Sequence, residues 1–176
     1  REGMRRLVLD LRDDPGGVLE SSVELADLFL RSGTILTTAG NDPSENSVEN
    51  AHAAGTEPDY PLVVLVNGGS ASASEIVAGA LKNTGRAVLV GRRTFGKGSV
   101  QAIHEFEDDS ALKITIAQYL TPGDISIQGV GIVPDIAVES MTVDPVDMDL
   151  IAEQGYTREA DLAAHLTHER TRGAQK

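Results

Sequence analysis

The chain contains no cysteine, so disulfides, thiolate catalysis and Cys-based metal sites are excluded, while the redox compartment stays open. It is also short of cations: 15 Lys and Arg stand against 27 Asp and Glu, a formal net charge of −12. Phosphate backbones are bound by clustered Lys and Arg, so this balance argues against a nucleic-acid partner. No apolar run approaches the length of a membrane-crossing helix. There is no internal repeat and no low-complexity tract. A leading methionine is missing as well. The chain starts at Arg1 and enters an apolar strand almost at once, which reads as a piece of a longer protein, so the lack of a leader segment says nothing about compartment.

What is present suffices for a single domain: 176 residues, 40% of them hydrophobic, can bury one core. The stretch Leu7–Leu11, interrupted only by Asp10, predicts a buried strand that runs into the Gly-rich loop Arg12-Asp13-Asp14-Pro15-Gly16-Gly17. Asp10, Asp13 and Asp14 have the composition of a hard-cation or acid–base site, but aspartates at strand ends and before Pro-Gly are ordinary turn formers. Residues 18–31 place Leu19, Val23, Ala26, Phe29 and Leu30 on one face of an amphipathic helix that Gly33 ends. A β-branched strand follows over 34–39. Residues 40–59 then lose apolar periodicity and predict a peripheral loop, with His52 solvated within it.

Pro61–Val66 is an unbroken apolar run that predicts a strand buried on both faces, and Ile76, Val77, Ala80 and Leu81 predict a helix closed by Gly85. Between them lies Gly68-Gly69-Ser70-Ala71-Ser72, so the serines sit at a strand-to-helix turn. Ser72 with Glu75 forms a Ser-x-x-Glu capping box, which starts the helix just after Ser72. A serine in such a place is first of all an N-cap. Another strand over 87–90 completes the alternation of strands and helices that marks an α/β fold. Residues 91–98 resemble a phosphate-binding P-loop, but Gly98 stands where that motif needs Ser or Thr, and a strand–turn–strand pattern follows instead of a helix. Nucleotide binding is therefore rejected. On a strand Lys97, Ser99 and Gln101 would share one face, with His104 on the other. Gly129–Val138 predicts an extended segment, and residues 141–176 a polar tail, partly helical around Leu162 and Leu166. His165 and His168 in that tail lack a third metal ligand.

Ser-Lys chemistry needs a hydroxyl, a lysine that is neutral when it takes the proton, and donors for an oxyanion. Ser72 at a helix start would lie near the free N–H of Ala73, and Gly17 could supply a second N–H if parallel pairing brings the two strand ends together. Lys97 stands between glycines, which allow close packing, and desolvation disfavours a charged ammonium. Gln101 could orient the amine. Each residue taken singly also fits a plain surface role.

Taken together, DLRDDPGG, VNGGSASASEIVAGALKN, TFGKGSVQ and GIVPD resemble the successive motifs of the C-terminal processing peptidases, a serine peptidase family with a Ser-Lys dyad. READLAAHL in the tail resembles the end of that family. The resemblance implies an α/β core of parallel strands and helices, crotonase/ClpP-like, with an added antiparallel hairpin, over residues 1–140. It implies Ser72 as nucleophile, Lys97 as general base, Gln101 as the residue that positions the lysine, and the amides of Gly17 and Ala73 as oxyanion hole. It implies no cofactor and no metal. Its substrates would be proteins or peptides with an exposed C-terminal tail, cleaved near that end. Its partners would be further copies of the chain or a regulatory adaptor protein, and its setting periplasmic or otherwise exported in a bacterium. The family's PDZ domain, which captures substrate tails, has no counterpart in this stretch. Two positions depart from the pattern: Asn83 stands where the family has Asp before the arginine, and Asp14 where it has Asn before Pro-Gly-Gly. Two rival readings have the same fold: a non-catalytic module for apolar ligands, in which the Ser72–Lys97 pair is normally lost, and an acyl-thioester enzyme, which needs a CoA site that the sequence does not offer.

Overall fold

The computed structural model describes residues 3–139 and 157–162. Two apolar runs far apart in sequence become neighbours: β1 (Leu7–Asp10) and β4 (Leu62–Val66) pair in parallel, Leu9 opposite Val64. A parallel neighbour needs a crossover, and the Gly68–Arg86 stretch supplies it as α2 (Ala73–Asn83), which delivers the chain to β5 (Val88–Gly91) on the far side of β4. Short β9 (Ile136–Ala137) completes a sheet in the order β1-β4-β5-β9. Between β1 and β4 the chain forms α1 (Leu19–Asp27) and the hairpin of β2 (Thr34–Gly40) and β3 (Ser47–Asn50). That hairpin joins β6 (Ser99–Glu105), β7 (Ala111–Thr121) and β8 (Ile125–Ser126) in an antiparallel sheet with the path β3-β2-β7-β6, β8 pairing with β7. The mixed α/β architecture predicted from the alternation of strands and helices, with its added antiparallel hairpin, is present.

Helix α2 lies at the centre. Every residue from Ala73 to Leu81 is buried, and Ile76, Ala80 and Leu81 join Val64 and Val66 of β4, Leu89 of β5 and Ile35 and Leu36 of β2 in one core. Truncating a residue such as Leu81 to alanine in this setting costs about 2–5 kcal/mol. The helix stops where expected. Gly85 takes φ +73°, its N–H bonds to Lys82 O, and the Arg86 N–H reaches back to Leu81 O at 2.9 Å. Arg86 then fastens the helix end to the opposite loops through the carbonyls of Phe29, Tyr60 and Pro58, with its guanidinium 5.5 Å from the Tyr60 ring.

Several expectations are corrected. Leu62, Val64 and Val66 are fully buried, but Val63 and Leu65 are only half-buried, so β4 is not covered on both faces. Its outer row, Val8–Val63–Val88 across three strands, ends in a Val8 that is 61% exposed. The crossover helix shields one side of the sheet only. Residues 40–59 are not a plain loop, since they hold a 3-10 turn (Pro43–Glu45) and β3. All four residues of β3 are exposed, so no apolar alternation announced it. Its turn is made by polar side chains instead, Asp42 accepting from Ser44 N and Asn46 from Gly40 N. Helix α1 ends at Asp27, short of Arg31. Strand β6 starts at Ser99, so Lys97 precedes the strand and the period-two argument for its sharing a face fails; the register shift opposite Val100 and Gln101 places the extra residue, Ile116, on β7. Ser99 is buried and Gln101 exposed. Residues 159–161 form a 3-10 turn; the helical pattern at Leu166, with His165 and His168, lies outside the described residues.

Candidate active site

The loops that leave β1 and β4 run side by side and are stitched together. Ser70 Oγ donates to Leu11 O at 2.6 Å, Ala71 N to Asp14 O at 2.9 Å, and Ser74 Oγ to the same Asp14 carbonyl at 3.1 Å. Parallel pairing of β1 with β4 is what puts these strand ends together, as the sequence argument required. Gly16, at φ +87°, lies so close that a Cβ there would stand 2.6 Å from Ala71 O, 2.7 Å from Ala73 N and 3.2 Å from Ser72 Cβ. Gly17 follows, with open space where its Cβ would stand.

Ser72 is the N-cap of α2 and has φ 57°, ψ −118°, a backbone region that suits glycine. Its hydroxyl makes no capping hydrogen bond. Serine in a strained strand-to-helix turn, with its hydroxyl not spent on the helix, is the geometry of a nucleophile elbow more than that of a cap. Just beyond it Ser74 N donates to Ala71 O at 3.2 Å and Glu75 N to Ser72 O at 2.9 Å, while Ala73 N, the first helical amide, precedes the intrahelical ladder.

The other half of the capping box is made and carries more than a cap. Glu75 is fully buried, and its Oε2 accepts from Ser72 N at 2.9 Å and from Lys97 N at 2.8 Å. Its Oε1 accepts from Gly96 N at 2.8 Å and from the Thr94 hydroxyl. One carboxylate thus ties the Ser72 turn to the Lys97 loop. Burial pushes the Glu75 carboxyl up, and the four hydrogen bonds it accepts work against that by favouring the ionised form. The loop is held from other sides too: Phe95 N donates to Ser70 O, Gly98 N to the side-chain oxygen of Gln128, and Gly129 N and Tyr119 N donate to the carbonyls of Gly96 and Gly98. Gly96, at φ +99°, has the Gly131 amide 2.9 Å from where a Cβ would be.

Of the residues singled out in the sequence, Ser72 and Lys97 meet through their backbone amides at Glu75 Oε2, and Ala73 N lies against Gly16, the chain neighbour of Gly17. Gln101 lies further along β6 with an exposed side chain. His104 is exposed, and His52 pairs with Asp27 at 3.1 Å on the surface. Among the described residues no three His, Cys, Asp or Glu side chains gather as a metal site. The two departures keep their local bonds: Asn83 donates to Thr121 Oγ1, and Asp14 Oδ1 accepts from Gly16 N as an asparagine oxygen would. Sequence reasoning missed the reach of Glu75 and the roles of Gly16, Thr94 and Gln128. The Pro-Gly-Gly run was a signal for Gly16; nothing local signalled the contacts of Glu75 beyond its own turn.

The family model for Peptidase family S41 matches residues 1–138. A carboxy-terminal-processing protease of Bartonella bacilliformis is 47% identical over 136 residues, 77% of this chain and 31% of the relative. A carboxyl-terminal-processing protease of Synechocystis is 41% identical over 161 residues, 92% of this chain and 37% of the relative. The chain therefore spans about a third of the length of these curated relatives. Among solved structures, a photosystem II D1 C-terminal processing protease superposes with a TM-score of 0.68 at 37% identity, over 78% of this chain and 35% of the other.

Proposed function

The chain belongs to Peptidase family S41, and from its site we propose that it carries the Ser-Lys machinery of a serine endopeptidase that cleaves proteins near their C-termini. The observation that carries this reading is the shared carboxylate oxygen of Glu75, which fixes the Ser72 and Lys97 backbones against each other. Ser72 Oγ attacks the scissile carbonyl while Lys97 Nζ takes its proton. The oxyanion is received by the amides of Gly17 and Ala73, whose loop and helix start meet at Gly16. The C–N bond then breaks, and the departing amine takes the proton back from Nζ. Water attacks the Ser72 ester with the lysine again as base, releasing the new C-terminus. Gln101 is assigned to orient the amine when substrate is bound. No cofactor or metal enters this sequence of steps.

The substrate is a protein or peptide with an exposed C-terminal tail, a reading supported by relatives whose names call them carboxyl-terminal-processing proteases. Further copies of the chain or an adaptor would regulate it, and an exported bacterial setting fits the bacterial relatives; others are chloroplastic. An active-site-directed serine probe tests the reading. Covalent labelling of the intact protein that disappears in Ser72→Ala supports it, and equal labelling of a folded Ser72→Ala variant removes Ser72 from the reaction.

A further inference from the structure

The loop of residues 94–98 has no strand or helix to hold it, and its inner side rests on Glu75. Its outer side rests on a second buried side chain, Gln128, which is fully shielded from solvent. The Gln128 carbonyl oxygen accepts from Gly98 N at 2.9 Å, and its amide nitrogen donates to Glu159 Oε1 at 3.2 Å. The Glu159 backbone N–H in turn donates to Phe95 O at 3.2 Å. The 3-10 turn Glu159–Asp161 thus closes a ring of hydrogen bonds around the segment that carries Lys97. It is closed on itself by Arg158 N donating to Asp161 at 2.9 Å.

We infer that Gln128 and Glu159 are positioning residues for Lys97, and that this turn of the C-terminal segment acts as a strut that keeps the general base aimed at Ser72. The inference rests on the Ser-Lys reading above. A glutamine amide has a soft terminal torsion, so something must choose which of its ends faces the loop. A carboxylate at the nitrogen end makes that choice, because it can only accept. With the nitrogen committed to Glu159, the oxygen faces Gly98 N. Without Glu159 the amide is free to turn, and its NH2 would then oppose the Gly98 N–H. Gly98 follows Lys97 directly, so a change in the direction of its amide re-aims the lysine side chain. Misplacement of a catalytic group by a fraction of an ångström lowers the chemical step while leaving substrate binding nearly intact.

The test is steady-state kinetics across pH on the intact protein as the cell makes it, with a quenched fluorescent peptide that has a free C-terminus. The variants are Glu159→Ala, Glu159→Gln, Gln128→Glu and the double variant Gln128→Glu/Glu159→Gln, with Ser72→Ala and Lys97→Ala as controls. Glu159→Ala and Gln128→Glu are expected to lower kcat by about tenfold or more with KM within about twofold, and to change the pH profile of kcat. Glu159→Gln keeps an acceptor oxygen and is expected to stay within about twofold of the parent. In Gln128→Glu two carboxylates face each other. The double variant exchanges donor and acceptor along the same bond and is expected to recover most of the lost kcat. A general loss of stability would follow melting temperature and would not produce this rescue. If Glu159→Ala and Gln128→Glu keep kcat within about twofold while both controls are dead, the strut is overturned and the dyad stands. A double variant no better than Gln128→Glu, or losses confined to KM, also overturn the strut. Activity in Ser72→Ala or Lys97→Ala overturns the dyad reading itself.

Discussion

The backbone amides of Ser72 and Lys97 converge on one atom, Oε2 of Glu75, at 2.9 and 2.8 Å. Whatever moves one of these residues moves the other. Glu75→Gln replaces one of the two oxygens by an NH2 group. If that group takes the Oε2 place it opposes two amides; if it takes the Oε1 place, Thr94 can accept but the Gly96 amide is orphaned. A buried N–H without a partner costs about 1–3 kcal/mol, so urea unfolding should show at least that loss together with a fall in turnover. A Glu75→Gln protein with parental stability and rate would show that the shared carboxylate is unnecessary.

Lys97→Arg separates a base from a mere cation. Guanidinium stays protonated in proteins, so if Lys97 takes the Ser72 proton the arginine variant should lose about a thousandfold or more in kcat, as Ser72→Ala should. Gln101→Ala removes orientation alone and should cost less than either. Turnover by Lys97→Arg within tenfold of the parent, by the same assay, would assign the proton to another group.

Gly16→Ala probes the meeting of the two loops. The added Cβ would stand 2.6 Å from Ala71 O and 2.7 Å from Ala73 N, on a residue at φ +87°. Strain of this kind costs about 1–3 kcal/mol, and relief requires the β1 loop to back away from the helix start. Thermal unfolding should fall and kcat should fall further than stability explains, because Gly17 moves with its neighbour. Gly17→Ala, with open space around its Cβ, should be milder in stability.

Asp135 gives the fold a measurable pH dependence. Its carboxylate accepts from Leu89 N at 2.9 Å and lies 3.1 Å from Lys82 Nζ, joining the start of β9 to β5 and to α2. Partial burial pushes this carboxyl up, but the Leu89 amide and Lys82 together hold it below the usual carboxylate range. A carboxyl lowered in the folded state binds its proton more readily when unfolded. Its stabilisation is therefore complete above the unfolded value of about 3.9 and is lost as pH falls through the folded one. The stability gap between the parent and Asp135→Asn should accordingly be wider near neutral pH than in acid. Equal gaps at the two ends would show that the ion pair and its amide contribute no titrating stability.

The fold was legible where local pattern and tertiary demand agree. Pro61–Val66, the apolar positions of α2 and Gly85 each announce their element, and the parallel pairing of β4 with β5 follows from the helical crossover between them. The candidate site was legible through the motifs around Ser72 and Lys97 taken together, since a serine before a helix and a lysine between glycines each fit a plain cap or surface role on their own. Two kinds of information were absent. Strand β3 has no buried face, so its pairing with β2 leaves no mark on hydropathy. Lys97 lies before the first residue of β6, so a period of two cannot be counted from it, and Ser99 and Gln101 differ in burial because β6 runs out of the core toward an exposed end. Glu75 falls between these cases. Its capping role is written in the local spacing, but its bonds to residues 94–97 exist only because the chain turns back after β5.

The backbone of Ser72 also bears on how this site persists through mutation. Its φ 57°, ψ −118° is comfortable for glycine and strained by about 1–3 kcal/mol for any residue with a side chain. The hydroxyl proposed as the nucleophile thus stands at a place where the chain would be steadier without a side chain. A lineage released from the need to cleave peptides gains stability by a single step from serine to glycine, and must climb the same amount to return. If Ser72 is the nucleophile, drift at this position runs one way, and selection for the reaction is what keeps the serine there.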